Sequence, residues 1–281
     1  MDPLLDIIHS ALLPAAVACG VMIFGLVLNR TGSHLKYFSG LAVILGSITG
    51  IIAVTGISPV APLEQLLSLT AFALLLLILA ASVPAFLFDK ISKKYQLAAS
   101  LALGLAAAFI SVIPLINAGT LTKAWIPLAF VGLASGVIIQ NLAVAASIAP
   151  TPFALGLLVA TTGIALNLVA LFSGGISFSW LAIVPSTAAA PSLVFAIFKQ
   201  KLPIGSTSLV VFTAIWFGVL VQTRSFLEPP PMAIPLLLLG LLLGSISISR
   251  FPNKSWVSLT ILPIALQICS VGLAANAYFN E

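Results

Sequence analysis

The sequence predicts an all-α, polytopic membrane helix bundle of about ten transmembrane helices joined by short loops. Three observations carry that prediction. Of the 281 residues 61% are hydrophobic and only 6% are charged, with mean hydropathy +1.25. A soluble domain carries about a quarter charged residues, so eleven basic and six acidic side chains cannot cover a water-soluble surface of this size. Apolar runs recur from end to end, each near the roughly 20 residues that a helix needs to cross a hydrocarbon core about 30 Å thick. These runs are continuous and not alternating, which argues against barrel strands.

The runs fall at about 10–29, 37–57, 65–88, 96–117, 124–147, 152–173, 178–198, 206–222, 232–249 and 255–278, one transmembrane domain over 1–281. The first follows Met1-Asp2-Pro3-Leu4-Leu5-Asp6, which is acidic where a secretory leader would be basic. Ala16-Val17-Ala18-Cys19 has the outline of a lipoprotein cleavage box, but the run continues to Leu28, as a retained span does. Cys19 and Cys269 each lie inside a run and read as small packing residues, with no disulfide framework or metal site implied. Runs two, five and nine carry Gly46/Gly50, Gly132/Gly136 and Gly240/Gly244, a spacing that lets helix backbones approach closely. Runs three and seven share a proline ahead of a basic loop (Pro84 to Lys90, Pro191 to Lys199), and runs one and nine span Pro14 to Arg30 and Pro235 to Arg250. This is too thin for an inverted repeat of the transporter kind. Runs eight and nine are short, leaving a nine-span or re-entrant arrangement open. Glu228-Pro229-Pro230-Pro231 between them reads as a stiff polyproline turn.

Loop charge sets the expected orientation. If the first span runs outside to inside, Arg30, Lys36, Lys90, Lys93, Lys94, Lys199, Lys201, Arg250 and Lys254 are cytoplasmic, nine of the eleven basic residues, and Lys123 and Arg224 are outside. Asp2, Asp6, Glu64, Glu228 and Glu281 fall outside and only Asp89 inside. A lysine and arginine bias of this size across short loops places both termini outside the cytoplasm, in a plasma (bacterial inner) membrane. The basic pI therefore reports topology, and no nucleic-acid partner is expected. Aromatic residues agree: Trp125, Trp180 and Tyr278 sit at outer ends, Tyr37, Tyr95 and Trp256 at inner ends, and only Trp216 lies mid-span.

No Asp, Glu, Lys, Arg or His lies within a run, which disfavours a pump or carrier working through a membrane carboxylate. His9 and His34 fall on opposite sides, with no zinc-binding His-Glu-x-x-His. Gly132-Leu133-Ala134-Ser135-Gly136 mimics a serine-nucleophile motif, but no membrane-level base can activate Ser135. No nucleotide-binding loop occurs, and no cofactor is expected. What remains is polar and uncharged. Gly132, Gly136 and Gln140 share a face of span five, with Asn141 beside it, and Gly156, Ala160, Gly163 and Asn167 share a face of span six. Pro263, Gln267 and Ser270 do so in span ten. An amide in hydrocarbon must find a partner, because leaving it unpaired costs about several kcal/mol. Gln140, Asn141, Asn167 and Gln267 are therefore either the lining of a substrate path or interhelical glue. In Pro185-Ser186-Thr187-Ala188-Ala189-Ala190-Pro191-Ser192, Pro185 and Pro191 each remove a backbone bond and predict an interrupted or kinked span seven. Freed carbonyls could line a midplane site there, as they do in many carriers.

The layout of ten short-looped spans resembles that of drug/metabolite-type carriers, which keep both termini cytoplasmic, whereas the charges here place both outside. The functional expectation is a carrier or channel for a small neutral or amphipathic solute. The alternative is a non-catalytic membrane subunit or scaffold that binds partner membrane proteins, with a lipid-modifying enzyme a distant third. The expected partners are the lipid bilayer and either that solute or other membrane proteins.

Overall fold

The computed structural model describes residues 5, 7–28, 35–56, 66–113, 125–148, 152–199, 205–251 and 253–280. Arg30, His34, Lys123, Lys201, Asp2, Asp6, Glu64 and Glu281 lie outside the described residues, as do the side chains of Asp89, Trp125 and Lys199. The described chain forms ten helices long and apolar enough to cross a membrane and no strand. They are α1 (Leu13–Leu28, preceded by a π-helical turn, Ile8–Leu12), α2 (Leu35–Thr55), α3 (Leu66–Leu87), α4 (Lys93–Ser111) and α5 (Trp125–Ile148). Then follow α6 (Pro152–Phe172), α7 (Ile176–Lys199), α8 (Ser206–Leu227), α9 (Ala233–Arg250) and α10 (Trp256–Asn280).

Local sequence explains the sharpest reversals. Between α6 and α7, Gly174 takes φ +82°. Its N–H then donates to Leu171 O and that of Gly175 to Ala170 O, both at 3.0 Å. This is a glycine C-cap that satisfies the last carbonyls of α6 and turns the chain within three residues. At the end of α8, Glu228 adopts a left-handed conformation (φ 48°), and Pro229 to Pro231 cannot extend the helix. The boundary drawn at residue 222 is thus five residues too early, and α8 is a full 22-residue helix and not a re-entrant stub.

The helix judged short is the centre of the bundle. The apolar window of α8 is wholly buried, enclosed by α2, α3, α4, α5, α6 and α7. Trp216, Phe212 and Phe217, all at most 2% exposed, fill the axis, with Trp216 and Phe217 edge-on at 5.3 Å between ring centroids. α9 closes the ring between α5 and α6, while α1 covers α2 and α7 from outside and α10 covers α6 and α9. A buried helix can be more polar than its neighbours only if its hydroxyls and amides are paired inside. α8 does this at one end, where Ser208 Oγ donates to Gly205 O at 2.7 Å and Thr207 Oγ1 to Ala85 O of α3 at 3.1 Å.

Glycines set the closest approaches. A methyl on Gly46 or Gly50 of α2 would meet Pro14 of α1, at its carbonyl oxygen (2.8 Å) and Cγ (2.6 Å) respectively. One on Gly136 of α5 would meet Leu101 Cα of α4 at 2.6 Å. One on Gly240 of α9 would meet Pro263 O of α10 at 2.9 Å, and one on Gly244 would meet Leu158 of α6 at 2.6 Å. All three small-residue pairs of the sequence therefore sit in helix interfaces. Cys19 is half-buried, but Cys269 points outward from α10, so it is not the interface residue expected.

Exposed basic residues gather at one end of the bundle: Lys90, Lys93, Lys94, Arg250 and Lys254. Lys36, Lys94 and Lys254 lie over the rings of Tyr37, Tyr95 and Phe251 at 5.3, 4.7 and 5.7 Å. Glu228 and Arg224 are exposed at the opposite end.

Candidate functional site

Each amide singled out from the sequence has a partner on a neighbouring helix, but the partners lie in four different seams. Gln140 Oε1 of α5 accepts from Ser100 Oγ of α4 at 3.0 Å. Asn141 Nδ2 donates back to Val137 O at 2.9 Å, and its Oδ1 accepts from Ser249 Oγ of α9 at 3.1 Å. Asn167 Nδ2 of α6 donates to Ser179 O of α7 at 2.7 Å. Gln267 Nε2 of α10 donates to Thr162 Oγ1 of α6 at 2.7 Å. Asn167 lies on α6 and Gln267 of α10 bonds to α6 at a different level, through Thr162, while Gln140 and Asn141 lie across the bundle in the α4–α5 and α5–α9 seams.

Pro185 and Pro191 are buried, and α7 passes through both as one helix from Ile176 to Lys199. The helix is therefore continuous, and of the two outcomes expected from the prolines, interruption or kink, the interruption is absent. Neighbouring contacts hold the helix there. Thr187 Oγ1 donates to Val184 O at 2.9 Å and to Ser10 O of the first π-helical turn at 3.1 Å. Ser186 Oγ donates to Val159 O of α6 at 3.1 Å, an approach permitted because Gly163 lacks a side chain and abuts Ser186.

One turn of α6 thus becomes the hydrogen-bonding centre of the bundle. Val159 O serves α7, Thr162 Oγ1 serves α10, and Thr162 O accepts from Trp216 Nε1 of α8 at 3.3 Å. Thr162 is fully buried and links the central helix to the peripheral α10. Sequence reading passed over it because a threonine within a span more often satisfies its own helix, as Thr49 and Thr213 do here. Trp216 was visible as the one mid-span tryptophan, but its partner was not.

Several buried polar atoms have no partner among the described residues: Thr70 Oγ1, Gln222 Oε1, Thr223 Oγ1, Ser47 Oγ, Ser192 Oγ, Trp180 Nε1 and Gln267 Oε1. Gln222 of α8 faces α3, where its Nε2 donates to Thr70 O over a long 3.5 Å. Gln222 went unnoticed in the sequence because it fell at the assumed end of its span. Ser135 Oγ donates to Gly132 O of its own helix at 2.7 Å, a packing arrangement with no base attached. The described residues hold no group of three or more His, Cys, Asp or Glu side chains that could bind a metal ion.

Three grooves are among those that open outward between the described helices. One of about 460 Å³ lies between α1 and α2 around Gly20 and Phe38, and one of about 220 Å³ between α6 and α7 around Gly156 and Ala190. The third, about 420 Å³, runs between α6 and α10 past Gln267. No protein-family model and no curated protein matches the chain.

Proposed function

We propose that this chain is a non-catalytic membrane subunit that binds partner membrane proteins through its lipid-facing helices. The observation that supports this is the position of α8: the axis where a solute path would run is occupied by Trp216, Phe212 and Phe217, and the grooves open outward. In this reading the amides at Gln140, Asn141 and Asn167 are interhelical glue, each worth about 0.6–2 kcal/mol. The chain lies in a plasma (bacterial inner) membrane with its basic end in the cytoplasm and both termini outside, following the nine-to-two split of lysine and arginine. A photoreactive phenylalanine analogue placed in turn at the outward-facing Phe24, Phe130, Ile164 and Ile261 tests the subunit reading in cells whose deletion phenotype the chain restores. Discrete protein adducts confined to one face are expected. Lipid adducts alone at every position, with function intact, would refute it.

A second reading keeps the carrier for a small neutral or amphipathic solute, favoured by Thr70 Oγ1, Gln222 Oε1 and Thr223 Oγ1, buried inside the bundle without a partner among the described residues. Uptake lost in Gln222→Leu and Thr70→Val at normal abundance would establish it over the subunit.

A further inference from the structure

Of these grooves, the one between α6 and α10 is lined by a side chain that carries a buried oxygen without a partner among the described residues. Its walls are apolar, formed by Ile164 and Leu168 of α6 and Ile264 and Ile268 of α10, with Thr161 and Gly272 leaving room between them. Gln267 also lines it. This amide is 2% exposed, its Nε2 is held by Thr162, and its Oε1 has no partner among the described residues. It sits near the middle of the 25-residue α10, so at membrane depth no bulk water can pair it. A buried acceptor left unmade costs about 1–3 kcal/mol, and native structures rarely leave one without a ligand, ion or water to satisfy it.

We propose that this groove is a binding site for a neutral apolar alcohol, whose hydroxyl pairs with the Gln267 amide and whose hydrocarbon body lies along α6 and α10. Three features select that chemistry. The lining carries no charge, so a charged headgroup would be stranded. A hydroxyl both donates and accepts, so it serves the amide whether Oε1 or, after a half-turn of the last side-chain torsion, Nε2 faces the groove. A partner helix is a poorer occupant, because serine and threonine hydroxyls on helices tend to be spent on their own backbone. Thr161 of this groove does just that, donating to Leu157 O at 2.9 Å. Water needs two to four polar partners, and apart from Gln267 this groove offers only that already engaged threonine. The volume falls within the roughly 300–1,000 Å³ of small-molecule sites. From Ile264 to Gly272 the floor extends about 12 Å along the helix, enough for a fatty, isoprenoid or sterol skeleton.

The test uses the full chain in lipid nanodiscs and two diazirine probes of one long alkyl chain, an alcohol and its methyl ether, with adducts mapped by mass spectrometry. Saturable labelling is expected within residues 161–168 and 264–272, roughly three- to tenfold stronger for the alcohol, as one hydrogen bond in a membrane interior would give. Gln267→Leu and the longer-chain mimic Gln267→Met should make the two probes equal. Gly272→Leu fills a space where an added Cβ meets nothing within 4 Å and leaves the amide untouched, so it should remove labelling by both. Equal labelling of the native chain by alcohol and ether would overturn the proposal. So would adducts scattered over Phe24 and Phe130, or no saturable labelling at all, the result for a groove held by protein or water.

Discussion

Substituting Gly104 by alanine puts one methyl into the close seam between α4 and α5. The new Cβ would meet Gly132 O and Ser135 Oγ, and would lie 2.5 Å from Gly136 N. Two of these three atoms belong to the backbone of α5, so no rotamer change relieves the clash and α4 and α5 must move apart. Overpacking of this kind costs about 1–3 kcal/mol. Separation also stretches the Ser100–Gln140 bond, 3.0 Å in the native chain, at about 0.6 kcal/mol. Alanine recovers about 0.8–1.0 kcal/mol through helix propensity, leaving a net loss of about 2 kcal/mol. Gly20→Ala is the matched control. A Cβ there meets nothing within 4 Å, so only the propensity gain of up to about 1 kcal/mol remains. The two identical substitutions should therefore differ by about 3 kcal/mol, roughly a hundredfold in the unfolding equilibrium. Reversible unfolding in mixed micelles, followed by tryptophan fluorescence, reads this directly. If both variants fall within about 0.5 kcal/mol of the parent, the backbone contact between α4 and α5 is not as described.

Trp216→Ala should cost about 3–5 kcal/mol and leave little folded protein in mild detergent, because it empties the axis and frees Thr162 O. Normal abundance of that variant would contradict a filled centre. Gln222→Leu removes an amide that makes only one long bond, so stability in detergent should change by less than about 1 kcal/mol. A large loss would reveal a partner for Gln222 beyond those described. Pro191→Ala supplies the missing N–H of α7 and should leave abundance and the restored phenotype unchanged; loss of function at normal abundance would favour a carrier in which Pro191 acts. Single cysteines beside Lys93 should be shielded from an impermeant thiol reagent in intact cells, while those beside Glu228 react, and the reverse pattern would end the proposed orientation.

The all-helical class and the ten helices long and apolar enough to cross a membrane were legible in the residues themselves. These depend on composition and run length, which a single helix displays without reference to its neighbours. The glycine pairs were legible for the same reason: their spacing marks a bare helix face whatever lies opposite. The amides were legible only as groups needing partners. That Gln140 meets Ser100 while Gln267 meets Thr162 follows from which helices lie side by side, and no periodicity within one helix carries that information. The least apolar features misled most. Polar residues in run eight made it look short, yet α8 tolerates them because it is wholly enclosed by other helices. The prolines of run seven implied a break or a kink, and α7 runs through them unbroken beside its contacts to Val159 and Ser10. The sequence by itself determined what kind of helices these are. Only the tertiary structure decided which one fills the centre, because burial of a polar or proline-bearing helix is a property of the neighbours that pair its backbone and side chains.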